Sequence, residues 1–215
     1  MSIRDSRYKG LLLDFGGVIT SDFFGSIDDY CQRLGLPRGR FRELVTTNST
    51  GRALYHQIER GEISQSAFEH ELAALLGVPA DGLIAGLLAG LQPDEGIIKA
   101  AARARASGVR VGVLSNSWGT EPFDPYAGYH LHEHYDALIV SGEIGIRKPD
   151  PALYLLAADK LGLPATACVL VDDVAANLPP AAEVGMATIH HMDSSDTVRA
   201  LERVFGLSSG SLLDQ

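Results

Sequence analysis

Four short stretches hold side chains that could do chemistry together. LLLDFGG (11–17) runs from an apolar stretch straight into Asp14 and two glycines. VRVGVLSNS (109–117) carries Ser115 and Asn116 near its end. DALIVSGE (136–143) is followed by Arg147, Lys148 and Pro149. ACVLVDD (167–173) ends in Asp172 and Asp173, with Asn177 soon after. A carboxylate nucleophile, acidic ligands for a divalent cation, and hydroxyl, amide and ammonium donors are what phosphoryl transfer needs. Each stretch alone has a plainer reading. A strand-end Asp can close a turn, Ser-Asn is a turn pair, and a Lys before Pro can sit in solvent. A helix cap explains one of Asp172 and Asp173 but not both. The signal is their joint placement.

That placement depends on the elements between them. The four runs, with a fifth, MATIHH (186–191), are continuously apolar, as strands buried on both faces are. Helical patterns lie between them at 95–108, 151–163 and 175–185, each closed by a glycine (Gly108, Gly162, Gly185). Pro179 and Pro180 suit a first helical turn. The alternation predicts an α/β fold with a Rossmann-like, doubly wound parallel sheet. In such a sheet the strand ends share one edge, where ligands bind. Residues 22–94 show no strand pattern and read as a run of helices, with Ser64 as an N-cap. They follow the Asp14 loop, so they form a helical lid over that edge. The expected division is a core of 1–21 and 95–215 and a cap of 22–94. Residues 192–215 read as a helix and a loose end.

The net charge of -9 argues against a nucleic-acid or anionic-membrane surface, both of which need a basic patch. The expected partner is a small phosphorylated metabolite. Cys31 and Cys168 suggest no disulfide framework, and Cys168 reads as a buried thiol. The polar start and the short apolar stretch behind it fit neither a signal peptide nor a membrane span, so the expected location is cytoplasmic.

Over nearly its whole length the chain resembles the haloacid dehalogenase-like (HAD) hydrolases. Asp14, Ser115-Asn116, Lys148 and Asp172-Asp173 look like the family's four motifs, and 22–94 looks like its C1-type cap. QIERGEIS (57–64) and IGIRKPDPALY (144–154) resemble the bacterial glucose-1-phosphate phosphatase branch. VDDVAANLPPAAEVGMATI (171–189) resembles the phosphatase domain of soluble epoxide hydrolase. The resemblance implies a Mg²⁺-dependent phosphatase acting on a small phosphomonoester through an aspartyl-phosphate. A sugar 1-phosphate is the first expectation, and a lipid phosphate follows from the second similarity. Asp14 would be the nucleophile. Asp14, the Gly16 carbonyl and Asp173 would hold Mg²⁺. Ser115 Oγ and the Asn116 N–H would bind phosphoryl oxygens, and Lys148 would neutralise charge. Asp172 would support the metal's waters or Lys148, and Asn177 would orient Asp173 or Lys148.

Gly16 stands where this family usually has a second Asp, the general acid. Such help is worth about 10²- to 10⁴-fold. Without it the expected substrates have good leaving groups, such as anomeric or acyl phosphates, or another group takes over: a substrate hydroxyl, a water, His56 or Glu62. One rival is a metal-free haloacid dehalogenase. The Asp172-Asp173 pair and the lack of that enzyme's Tyr near Gly16 weigh against it. The other is a non-catalytic phosphate- or partner-binding protein. Three further features stay ambiguous. His130, His132 and His134 read as a solvated helix end, and His190-His191 as structural. Trp118 either lines the pocket mouth or packs the cap on the core.

Overall fold

The computed structural model describes residues 7–207. Five strands form one parallel sheet: β1 Gly10–Leu13, β2 Arg110–Ser115, β3 Ala137–Val140, β4 Cys168–Asp172 and β5 Ala187–His190. Their order is β3-β2-β1-β4-β5, so β1 is central and the chain switches sides of it between β3 and β4. The strands are shorter than their apolar runs. The third run ends early because Ser141–Ile144 turns into a helical turn, closed by Gly145 in the left-handed conformation.

Helices cover both sheet faces, as buried parallel strands require. Residues two apart on a strand share a face. Leu11, Leu13, Val111, Val113, Val169 and Val171 pack into one cluster with the apolar face of Glu95–Ala106 and with Ser194–Phe205. Leu12, Leu114, Leu170 and Cys168 pack on the other face, against Pro151–Lys160 and Leu178–Glu183. Pro179 and Pro180 fall in the first turn of the last of these. Both cysteines are buried and free. Among the described residues, no helix is long and apolar enough to cross a membrane.

Between the turn that follows β1 and the sheet-face helix Glu95–Ala106, the described chain forms five α-helices: α1 Phe23–Arg33, α2 Arg40–Thr46, α3 Ser49–Glu59, α4 Gln65–Leu76 and α5 Leu83–Leu88. The Ser64 hydroxyl caps α4 by accepting from the Ala67 N–H. These helices share their own apolar cluster, which includes Phe41, Phe68 and Leu72. Trp118, from the loop after β2, is buried within it. Its ring lies 5.2 Å from Phe68, 5.6 Å from Phe23 and 5.9 Å from Phe41 and Tyr55. Gln65 binds the same loop, donating to the Phe123 carbonyl at 2.9 Å and accepting from its N–H at 2.8 Å. Gly61 sits against the Gly142 backbone; a Cβ there would lie 2.1 Å from the Gly142 carbonyl oxygen.

Trp118 is therefore a packing residue that joins the insertion to the sheet-edge loop. Trp118→Ala should lower the free energy of unfolding by about 3–5 kcal/mol, read from urea denaturation by circular dichroism. A loss below about 1 kcal/mol would contradict this role.

Candidate active site

The pleat that buries Leu12 and Leu170 on one face continues past the strands. Leu13 is in register with Val171, so Asp14 and Asp172 come next on neighbouring strands and face the same side. Lys148 enters there from the loop before Pro151–Lys160. Its Nζ lies 2.8 Å from Asp14 Oδ2 and 2.7 Å from Asp172 Oδ2. The ammonium is only 1% exposed. Buried charges of this kind persist when paired and hydrogen-bonded.

Each member is held from behind. The Phe15 N–H donates to Asp14 Oδ1 at 2.7 Å. Asp172 Oδ1 accepts from the Val174 N–H and the Asn177 amide, both at 2.9 Å. The Tyr154 hydroxyl donates to the Asn177 carbonyl at 2.8 Å. The Asn116 side chain grips the main chain of Lys148, accepting from its N–H at 2.9 Å and donating to its carbonyl at 3.2 Å. Asp172 is thus held by Lys148 and by its own loop. The expectation for Asn177 is corrected. Its amide reaches Asp172, five residues back, rather than Asp173 or Lys148, because the helical turn Ala175–Asn177 folds it back onto the strand end.

Asp173 differs. It lies against Gly17, whose φ of 82° favours glycine and where a Cβ would come 2.6 Å from Asp173 Oδ2. Its Oδ1 is buried with no hydrogen-bond partner. One oxygen from each of Asp14, Asp172 and Asp173 falls within 4.8 Å of the others. Three carboxylates therefore face one ammonium. Burial, with Asp172 and Asp173 adding to it and Lys148 opposing, holds the Asp14 carboxyl well above its ordinary value. Burial and then Asp172 push Asp173 up to about 6. Burial works against the Lys148 ammonium, but Asp14 and Asp172 overcome it and hold its pKa above the ordinary one. An orphaned carboxylate oxygen and surplus negative charge fit a hard divalent cation.

A cleft of about 340 Å³ opens over this cluster. Asp14, Gly16, Asn116, Lys148, Asp173 and Asn177 reach it from the sheet edge. Phe23, Phe24, Val45, Tyr55, His56 and Glu59 reach it from the insertion. Ser115 is buried beside it, in an adjoining pocket of about 40 Å³ that Gly16 and Asn116 share. The Tyr126 hydroxyl donates to Ser115 Oγ at 2.9 Å, which leaves the Ser115 proton free to be given elsewhere.

A family model for haloacid dehalogenase-like hydrolases matches residues 8–185. The chain belongs to this family. Among curated proteins, this HAD hydrolase is 33% identical to bifunctional epoxide hydrolase 2 of Rattus norvegicus over 114 residues, 51% of the chain and 21% of the relative. The match thus spans about a fifth of that relative's length. A sesquiterpene phosphatase of Aspergillus oryzae is 26% identical over 204 residues, covering 94% of the chain and 98% of the relative. Among solved structures, the magnesium complex of a HAD family enzyme from Bacteroides thetaiotaomicron superposes with a TM-score of 0.65 at 19% identity. It covers 86% of this chain and 93% of that one.

The contacts of several cleft groups carry no clear signal in the sequence. Arg147 donates from Nε to Glu59 Oε2 at 2.6 Å, tying the Lys148 loop to α3. Burial raises the Glu59 carboxyl, with Arg147 opposing. The Glu59 carbonyl also accepts from Ser141 Oγ at 2.5 Å. A polar stripe at 52, 55, 56 and 59 is the pattern that marks this face of α3. Glu62, named beside His56 as a substitute acid, is exposed, pairs with Arg60 at 2.5 Å and does not line the cleft. His130, His132 and His134 are exposed around the short turn Leu131–His134. His190 Nε2 lies 3.0 Å from the Asp173 carbonyl, and His191 Nδ1 3.0 Å from Thr197 Oγ1.

Removing the ammonium leaves Asp14 and Asp172 buried without a counter-charge. Lys148→Met should cost about 3–5 kcal/mol of stability, measured by urea unfolding in metal-free buffer. A cost under about 1 kcal/mol would show that Lys148 is not what holds the cluster.

Proposed function

We propose that this hydrolase is a Mg²⁺-dependent phosphatase acting on a small phosphomonoester through an aspartyl-phosphate on Asp14, with the helical insertion as its cap. The observation that carries the reading is the orphaned, buried Asp173 oxygen beside the Asp14–Lys148 pair. It explains a set of acids that would otherwise repel one another and an anionic substrate.

Asp14, the Gly16 carbonyl and Asp173 would hold the ion. When bound, Mg²⁺ supplies the positive charge that lets a carboxylate approach a phosphate ester. The protein's own groups do the rest. The Phe15 N–H and Lys148 fix both Asp14 oxygens, so the carboxylate meets phosphorus in one orientation. The Asp14 oxygen bonds phosphorus as the ester oxygen departs, and water then displaces Asp14 to release phosphate. Ser115 Oγ and the Asn116 N–H stabilise the transferring oxygens, and Lys148 offsets their charge. A metal-free dehalogenase using the same Asp14 would leave Asp173 buried without a cation beside an anionic substrate.

Two alcohols compete as leaving group. A sugar 1-phosphate, expected from the sequence, would use the polar stripe on α3 and Arg147. An apolar alcohol would use the wall of Phe23, Phe24, Val45 and Tyr55, and it gains support from the nearly full-length similarity to a sesquiterpene phosphatase.

The test is phosphate release from glucose 1-phosphate, a sesquiterpenyl phosphate, a primary alkyl phosphate, p-nitrophenyl phosphate and acetyl phosphate, each with Mg²⁺ and with EDTA. Release should require Mg²⁺ and fall by about 10³-fold or more in Asp14→Asn. No Asp14-dependent release from any compound, with halide release from a 2-haloacid instead, would transfer the assignment to the dehalogenase. Separately, Mg²⁺ at about 100 times its Kd should stabilise the fold by about 2.7 kcal/mol. That corresponds to a rise of about 5–10 °C in Tm. Asp173→Asn should abolish the rise; an undiminished rise in that variant would remove Asp173 from the ion site.

A further inference from the structure

Gly16 leaves one step without a donor. As the ester bond breaks, the departing oxygen must gain a proton unless it leaves easily as an anion. Position 16 carries no side chain to supply it, and a Cβ there would lie 3.2 Å from the Phe23 ring, so a side chain would need that ring to give way by a few tenths of an ångström. That ring is itself set edge-on to Phe24 and Trp118, at 5.4 and 5.6 Å. The donor must come from elsewhere around the cleft.

The other titratable side chains of the cleft are committed. Asp14 and Lys148 are paired, and Asp173 lies beside them in the cation cluster. Glu59 is buried and ion-paired with Arg147 at 2.6 Å. Burial drives the Tyr55 hydroxyl well above its ordinary pKa, so it holds its proton too tightly to serve. His56 is left. It is half-buried and lines the same cleft as Asp14, Gly16 and Lys148. Among the hydrogen bonds of the described residues, its imidazole makes none.

The fold also fixes where His56 stands. Arg52, Tyr55, His56 and Glu59 form one stripe of α3, while Gly51, Leu54 and Ile58 bury its opposite side. The end of α3 is pinned to the sheet edge twice, by Glu59 to Arg147 and by the Glu59 carbonyl to Ser141. Arg147 adjoins Lys148. His56, one turn back from Glu59, thus stands on the wall of the cleft that Asp14, Gly16 and Lys148 also line. Burial, then Arg147, Arg60 and Arg52, keep its pKa below the ordinary value.

We infer that His56 is the proton-transfer residue of this site, an assignment that rests on the phosphatase reading above. In the first step the Asp14 oxygen bonds phosphorus, the phosphorus–ester oxygen bond breaks, and the imidazolium proton passes to the departing oxygen to give the alcohol. In the second step a water oxygen bonds phosphorus, the bond to Asp14 breaks, and the neutral imidazole takes the water's proton. Phosphate leaves and the imidazolium is restored.

Stopped-flow and steady-state kinetics of the unaltered protein and His56→Gln, with Mg²⁺, test this on two esters. On hexyl phosphate, kcat should fall by about 10²- to 10⁴-fold with little change in KM. On p-nitrophenyl phosphate, whose leaving group needs no proton, the first-turnover burst of p-nitrophenolate should persist while the later turnover slows. That persistent burst also shows the variant to be folded. An equal loss in the burst and on the hexyl ester, or a change in KM alone, would overturn the assignment and make His56 a binding residue. Those results leave Asp14-dependent release intact in the unaltered protein, whereas its absence there would overturn the phosphatase reading and this one together.

Discussion

The structure turns on an ammonium buried between two carboxylates. Lys148 lies within 2.8 Å of both Asp14 and Asp172, almost out of water. Such a charge is costly unless its partners are fixed before it arrives. Much of the surrounding architecture can be understood as that fixing. Asn116 clamps the Lys148 backbone, Asn177 and the Val174 N–H clamp Asp172, and Tyr154 from the next helix clamps Asn177. Three strand ends and one loop become a single rigid edge. Asp173 stands just outside this closed network, which is why its oxygen is left for something else to satisfy.

The helical insertion answers a different constraint. It must sit over that edge without its own apolar surface collapsing into the cleft. Its helices solve this by burying Phe41, Phe68 and Leu72 around Trp118, so the sheet-edge loop supplies part of the insertion's core. The polar side of α3 is then free to line the cleft opposite Asp14 and Lys148. The Glu59–Arg147 pair and the Gly61–Gly142 contact set the distance between the two walls, since neither leaves room to slide.

Much of this was legible in the sequence, for identifiable reasons. Parallel strands buried on both faces leave continuous apolar runs, and each run led to its polar end group. The pleat relation that sets Asp14 beside Asp172 follows from period two once the strands pair. What could not be read depends on side chains meeting across long separations. Nothing near Asn177 says that it reaches back to Asp172, and nothing near Tyr126 says that it donates to Ser115. The apolar run 136–143 concealed the helical turn at Ser141 because its residues suit either state. Trp118 was legible as lining the pocket mouth or packing the insertion on the core, and only the rings around it decide for packing. From the polar stripe of α3 the sequence singled out His56 beside Glu62, but among helices of unknown packing it could not tell which of the two lines the cleft.

The strand order has a consequence for how the protein comes into being. Leu12 on the central strand pairs with Gly112 on one side and Leu170 on the other. The helical insertion is local in sequence and can collapse early, but the strand bearing Asp14 stays unpaired on one edge until β4 docks. Asp172, the last residue of β4, reaches it only at that stage. Non-local pairings of this kind close slowly, because chain entropy must be lost before the contacts repay it. During synthesis Asp14 is made long before Lys148 and Asp172, so an incomplete sheet carries an apolar strand whose terminal acid lacks its counter-charge. Assembly of the Asp14–Lys148–Asp172 cluster is thereby coupled to completion of the sheet.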